Sequence, residues 1–116
     1  MSKLEKRDFS SPDETRKMSK AKMEIVKIGG RTVTKATYAP GWRWSVDTKP
    51  VAGTQSCMRH HYGYVISGKL HVKSDDGSEM DHNPGDMVDI PPGHDGWVLG
   101  NEAAVLLDFG DPCNCN

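Results

Sequence analysis

Tyr64-Val-Ile-Ser-Gly-Lys-Leu70 and Pro84-Gly-Asp-Met-Val-Asp-Ile-Pro-Pro-Gly93 are the two stretches whose reading decides the fold. In the first, β-branched and apolar residues run into Gly68 and resume at Leu70-His-Val72, the texture of strands on either side of a turn. In the second, Gly85 permits the turn before a strand over 87–90, and Pro91 and Gly93 fix the sharp bend that follows it. Asp75-Asp76-Gly77, between the two, is a further turn.

The same punctuation continues outward. Met23–Ile28 is a short strand ending at Gly29-Gly30, a hairpin dipeptide, and Arg31–Tyr38 alternates as a half-buried strand does. Pro40-Gly41 breaks that strand, and Trp42-Arg-Trp-Ser-Val46 puts Trp42 and Trp44 on one face. A loop with Pro50 and Gly53 leads to a strand region at 54–58. Trp97–Leu99 ends at Gly100-Asn101, and Ala103–Phe109 is the last strand. About nine short strands, with no helical period after residue 23, predict an all-β sandwich or barrel. The expected organisation is a polar arm over 1–23, a barrel over 24–110 and a tail over 111–116. The arm either drapes over the barrel or a partner, or stays loose.

Composition agrees with a thin core. The chain has 116 residues, 35% of them hydrophobic, with a mean hydropathy of −0.65. That suits two layers or a small barrel rather than a thick α/β domain. The net charge is −1, the pI is near 6.5, and Lys and Arg form no long run, so nothing predicts nucleic-acid binding. No apolar stretch resembles a signal peptide or reaches membrane-spanning length, so the expectation is a cytoplasmic protein with no membrane partner. Three cysteines, Cys57, Cys113 and Cys115, make no disulfide framework and stay reduced in such a compartment.

The two opening stretches resemble the two signature segments of the cupin superfamily. The likeness extends over roughly residues 40–109. More narrowly, Pro40-Gly-Trp-Arg-Trp-Ser45, Cys57 with His61-Tyr-Gly-Tyr64, Asp75-Asp-Gly77 and Pro91-Pro-Gly-His-Asp95 before Trp97 are similar to stand-alone bacterial and archaeal cupins. The resemblance implies a single small double-stranded β-helix, or jelly-roll, barrel that forms a homodimer. It also implies a metal site, from which this chain departs. Counting back from Tyr64, the family's His-x-His pair falls on Gln55 and Cys57 and its Glu on His61. The histidine of the second motif falls on Gly96, while the nearby histidine is His94.

Strand alternation offers a substitute. If position 61 faces the barrel, so do 55 and 57, and 94 shares a face with 96. Gln55, Cys57, His61 and His94 then converge, with His60 joining if it swings in. His71 faces outward because Leu70 and Val72 claim the inner face, and His82 lies in a turn. A Cys/His set without a carboxylate is soft and favours zinc, iron or copper over manganese. The bland alternative is a space-filling cysteine beside hydrogen-bonded core histidines. Trp42 and Trp44, with Gln55, are candidates to line a ligand pocket, and Trp97 is a further one. For the tryptophans the alternative is core or dimer packing. Asp95 either orients an imidazole or is a turn residue, and Cys113-Asn-Cys115 is either a soft-metal pair or a tail with free thiols.

Two functions follow from different classes. One is a metal-binding or small-molecule-binding cupin acting as a sensor or accessory protein. The other is a metal-dependent enzyme, a dioxygenase, isomerase or lyase acting on a small polar or aromatic compound, with His61 or His94 as base. A third expectation makes the barrel mainly a dimerisation module.

Overall fold

The structure, a computed structural model, describes residues 3–109. Its strands are β1 (Glu14–Met18), β2 (Ala21–Ile28), β3 (Arg31–Tyr38), β4 (His61–Ser67), β5 (Lys69–Ser74), β6 (Glu79–His82), β7 (Met87–Ile90), β8 (His94–Leu99) and β9 (Ala104–Asp108). They form a six-stranded antiparallel sheet in the order β1-β2-β3-β9-β4-β7 and a three-stranded one in the order β6-β5-β8. The period of two in the sequence becomes two inner faces. Met23 and Ile25 of β2, Val65 of β4, Val88 and Ile90 of β7 and Leu106 of β9 are buried on the larger sheet, and Leu70, Val72 and Val98 on the smaller. Burying each of the larger of these side chains contributes roughly 1.5–3 kcal/mol.

Two glycines make the close strand crossings possible. A Cβ on Gly63 would lie 1.9 Å from the Leu107 carbonyl oxygen, so β4 and β9 can pair at this spacing only with glycine there. Gly68 turns β4 into β5 at φ +73, and a Cβ there would meet the Ala103 oxygen at 2.2 Å.

Four local expectations are corrected. Residues 14–23, read as part of a polar arm, are instead β1 and the start of β2, and Ala21 and Met23 are buried. β1 is an outer strand with charged Glu14, Arg16 and Lys17, a composition that protects an edge but hides its period. Its turn uses Lys20 at φ +56 rather than the glycine that would have announced a hairpin.

Trp44–Thr48 form a wide helical turn that continues as α1 (Lys49–Ala52), where no helix was expected. Pro50 in its first turn and Gly53 just past its end, read as loop residues, are the ordinary punctuation of a helix. The strand region at 54–58 reduces to one bridge, between Cys57 and His94. His82 is not in a turn: it pairs with Leu70 in β6 and is buried, with its Nδ1 unpartnered among the described residues. Burial pushes its pKa below the usual histidine value.

Candidate metal centre

Three side chains of the inner wall converge. The Cys57 N–H donates to the His94 carbonyl at 2.7 Å and the Gly93 N–H donates to the Cys57 carbonyl at 2.7 Å, which locks Cys57 across from the start of β8. His61 opens β4, opposite Ile90. One donor atom from each of Cys57, His61 and His94 lies within 4.8 Å of the other two. Cys57 Sγ is 3.8 Å from His61 Nε2, and the two imidazoles meet edge to face at a centroid separation of 5.2 Å. A tetrahedral zinc ion, with Zn–S about 2.3 Å and Zn–N about 2.0–2.1 Å, separates sulfur and nitrogen by about 3.6 Å.

The outer nitrogens decide the tautomers. His61 Nδ1 lies 3.0 Å from Asp108 Oδ2, and a carboxylate only accepts, so Nδ1 carries the proton. His94 Nδ1 lies 2.9 Å from the Pro91 carbonyl oxygen, which also only accepts. In the neutral form of each ring the remaining lone pair is therefore on Nε2. A ring held from behind by a carboxylate or a backbone carbonyl is the usual arrangement of a ligating histidine.

Sequence reasoning missed the group behind His61. Asp108 ends β9, opposite Gly63, and its partner in charge is the buried Arg59, whose Nη2 lies 3.4 Å from Asp108 Oδ2. That approach makes an ion pair but is not aligned as a hydrogen bond; Arg59 Nε and Nη2 have no hydrogen-bond partner among the described residues. Arg59 Nη1 lies 3.3 Å from the Met23 sulfur. The available signal was a charged residue at each of two inward-facing positions, which demands a partner.

Burial acts differently on each group. It raises the Asp108 pKa, but the His61 hydrogen bond and the Arg59 charge outweigh it and hold the carboxyl below its ordinary value. Burial, then the neighbouring His61, pushes His94 down to about 4, so its lone pair is free at neutral pH. Burial raises the Cys57 thiol, opposed by the Arg59 backbone N–H and the Arg59 charge. A metal would have to displace that proton to bind the thiolate.

A cavity of about 50 Å³ adjoins the triad, and Cys57, His61, His94 and Gly96 line it together with Tyr38, Trp42 and Trp44. Trp42 Nε1–H donates to Thr48 Oγ1 at 3.2 Å, and the Tyr38 ring packs on Trp42 at 4.2 Å. The Trp44 indole N–H is buried without a partner among the described residues.

Other candidates stand apart. Gln55 is exposed and accepts from Lys49 Nζ at 3.2 Å, because the alternation from β4 does not run back through a segment that is not a strand. His60, one residue before His61, points outward and pairs with Asp89. Trp97 lies on the outer face, between His71 at 4.8 Å and the Arg43 guanidinium at 3.9 Å. Asp95 accepts from the Ser45 N–H at 3.1 Å and holds the helical turn to β8 rather than an imidazole. Cys113 and Cys115 lie outside the described residues.

No protein-family model matches the chain, and no curated protein does. Solved structures do. A protein of unknown function from Rhizobium leguminosarum is 20% identical, with 95% of this chain and 100% of that one covered at a TM-score of 0.65. KdgF from Halomonas sp. is 20% identical, with 82% of each chain covered at 0.56. A mutant oxalate decarboxylase from Bacillus subtilis is 18% identical at 0.62; 97% of this chain covers 32% of that one, about a third of its length. Likeness at this identity establishes the architecture, a cupin jelly roll, and leaves the chemistry to the site.

Proposed function

We propose that this cupin-fold chain holds a divalent transition metal on Cys57, His61 and His94 and takes a small-molecule ligand in the adjoining cavity. The observation that carries the reading is the pair of tautomers: both Nδ1 atoms are engaged from behind, at 3.0 and 2.9 Å, so both free lone pairs belong to Nε2. Three protein donors leave the fourth position of a tetrahedral ion open, the pattern of ions that act on a bound molecule. One sulfur and two imidazoles favour zinc, iron(II) or copper over manganese. When bound, the ion supplies Lewis acidity at the open position. A ligating thiolate must stay reduced, which fits a cytoplasmic location.

The open position also supports a second reading, a metal-dependent enzyme of the dioxygenase, isomerase or lyase type. Against it stands that no carboxylate is among the described cavity-lining residues, and that Asp108, behind His61, is engaged by His61 and Arg59. Oxygen uptake on a panel of catechols, diketones and thiols separates the two. Turnover of any member favours the enzyme, and silence favours binding.

We further infer a homodimer through the outer face of the larger sheet. Tyr62, Tyr64, Ile66, Met87 and Phe109 are all exposed there, and pairing sets Tyr64 between Met87 and Leu107 in one continuous apolar row. Sedimentation of the wild type as a dimer and of Tyr64→Lys as a monomer is the expected outcome; a monomeric wild type excludes it.

The metal reading is tested by the metal content of protein from metal-supplemented cells, against a His61→Ala/His94→Ala double variant. The wild type should carry roughly one ion per chain and the variant far less. Equal, low content in both would end the reading.

A further inference from the structure

β6 and β7 face each other without pairing. Each is the last strand of its own sheet, and the turn over 83–86 joins them. A second cavity, of about 100 Å³, is lined by Glu79, Met80 and His82 of β6, by Asp89 and Ile90 of β7 and by Val72 of β5. Val72 and Ile90 also line the cavity beside the triad, so the two spaces share these side chains as a common wall. β6 covers the second space poorly. It has four residues and pairs along one edge only, with β5. Met80 lies opposite the buried Val72 and so shares its inward face, yet it is 60% exposed.

Two histidines act on this strand from its two faces. On the outer face His71 of β5 lies opposite Asp81, with Nδ1 2.5 Å from Asp81 Oδ1 and Nε2 2.7 Å from Glu79 Oε1. Ionised carboxylates only accept, so the ring makes both bonds as an imidazolium and must give up one of them when neutral. The Asp81 hydrogen bond, then that to Glu79, raises its pKa. On the inner face His82 is 4% exposed, with Nδ1 unpartnered among the described residues, and burial lowers its pKa. A charge on that ring would be buried without a counterpart. The surroundings keep both directions. Lys69 and Lys73 flank His71 on its own strand, Lys73 standing opposite both Glu79 and Asp95. Trp97 of β8 stacks on the His71 ring at 4.8 Å, with the Arg43 guanidinium over the indole. Around His82, Asp86 and Asp81 favour the charged ring, His61 and His71 oppose it, and Asp89 lines the same cavity.

We propose that β6 is a flap over a second mouth of the barrel, closed near neutral pH and released in both acid and alkali. His71 contributes a clamp that is fully present below the ordinary histidine value of 6.5 and is lost as pH rises through its higher folded value. His82 acts in the opposite sense: the neutral ring stays seated above 6.5, and the seat is lost as pH falls through its lower folded value. The flap works with or without an ion at Cys57, His61 and His94, so it stands apart from the metal reading.

The test follows amide hydrogen exchange of residues 79–82 in the metal-free full chain, each rate divided by its intrinsic rate at that pH and compared with β2. Relative protection of β6 should peak near pH 6.5 and fall by at least about threefold towards about pH 9 and towards about pH 4.5. His71→Arg, permanently charged and forked, should keep the alkaline protection; His71→Gln should be poorly protected near pH 6.5 already. His82→Leu should remove the fall in acid. A second readout asks whether the mouth admits anything. With Cys113→Ser and Cys115→Ser leaving Cys57 as the one thiol, iodoacetamide at a fixed pH of about 6.5 should label it at least about threefold faster in His71→Gln than with His71 present. Relative protection of wild-type β6 that does not change with pH overturns the proposal whether or not the variants fold. Wild-type protection in folded His71→Gln, or equal labelling of Cys57 with and without His71, overturns it as well.

Discussion

Replacing Asp108 with Asn isolates the group that holds the centre from behind. Asp108 accepts from His61 Nδ1–H at 3.0 Å and lies 3.4 Å from the buried Arg59 guanidinium. The amide keeps the shape and can still accept from His61, but it removes the negative charge and leaves Arg59 uncompensated. Breaking a buried pair by deleting one partner costs about 3–5 kcal/mol, a large part of the stability of a small domain. Loss of the carboxylate behind a ligating imidazole lowers metal affinity by roughly 10–100-fold.

Two assays read the two effects. Urea unfolding of metal-free protein gives the stability, and competition with a chromophoric chelator gives the affinity. The stability difference also has a pH signature. The folded Asp108 pKa lies below its unfolded value, so its contribution is fully present above the ordinary carboxylate pKa and disappears as pH falls through the folded value. Wild type and Asp108→Asn should therefore differ most at neutral pH and converge in acid. An Asp108→Asn protein that unfolds at the same urea concentration and holds metal equally well would refute the reasoning.

Cys57→Ser should lower zinc affinity by at least about tenfold, and the cobalt form should lose its sulfur-to-metal charge-transfer band; a retained band would mean that Cys57 is not a ligand. Metal-free protein should lose stability as pH falls from 6.5 towards 4, since the unfolded His94 binds a proton that the folded one, with its pKa near 4, refuses. The loss is on the order of 3 kcal/mol. His82, also lowered by burial, acts in the same direction, so the measured quantity is the flatter slope of His94→Gln in that window. Gly63→Ala should cost about 2–4 kcal/mol, because its Cβ would sit 1.9 Å from the Leu107 oxygen. A thermal melt within error of the wild type would show that β4 and β9 can separate there freely.

The barrel was legible because its signals are local. Turn residues at Gly29-Gly30, Asp76-Gly77 and Pro84-Gly85, with period-two runs such as Arg31–Tyr38, need no knowledge of distant partners. The inward placing of His61 and His94 was legible for a related reason, since alternation within β4 and β8 fixes which side chains share a wall; Cys57 lies outside both strands and joins them through its bridge to His94. The layer behind them was not. Asp108 reaches His61 only through the pairing of β9 with β4, a register that local pattern does not carry. Gln55 and His60 failed on the limits of alternation itself: the first lies outside any strand, the second is out of phase by one residue. The helical turn at 44–52 was hidden because its residues are few, and β1 because an edge strand of charged residues has little period to show.

The central claim is that sulfur and two imidazole nitrogens hold one ion. X-ray absorption at the zinc edge of the zinc-loaded chain measures that directly. The account predicts one sulfur at about 2.3 Å and two imidazole nitrogens at about 2.0–2.1 Å, with the remaining ligand light and exchangeable. A shell of oxygen and nitrogen alone, unchanged in Cys57→Ser and in His94→Gln, would contradict it.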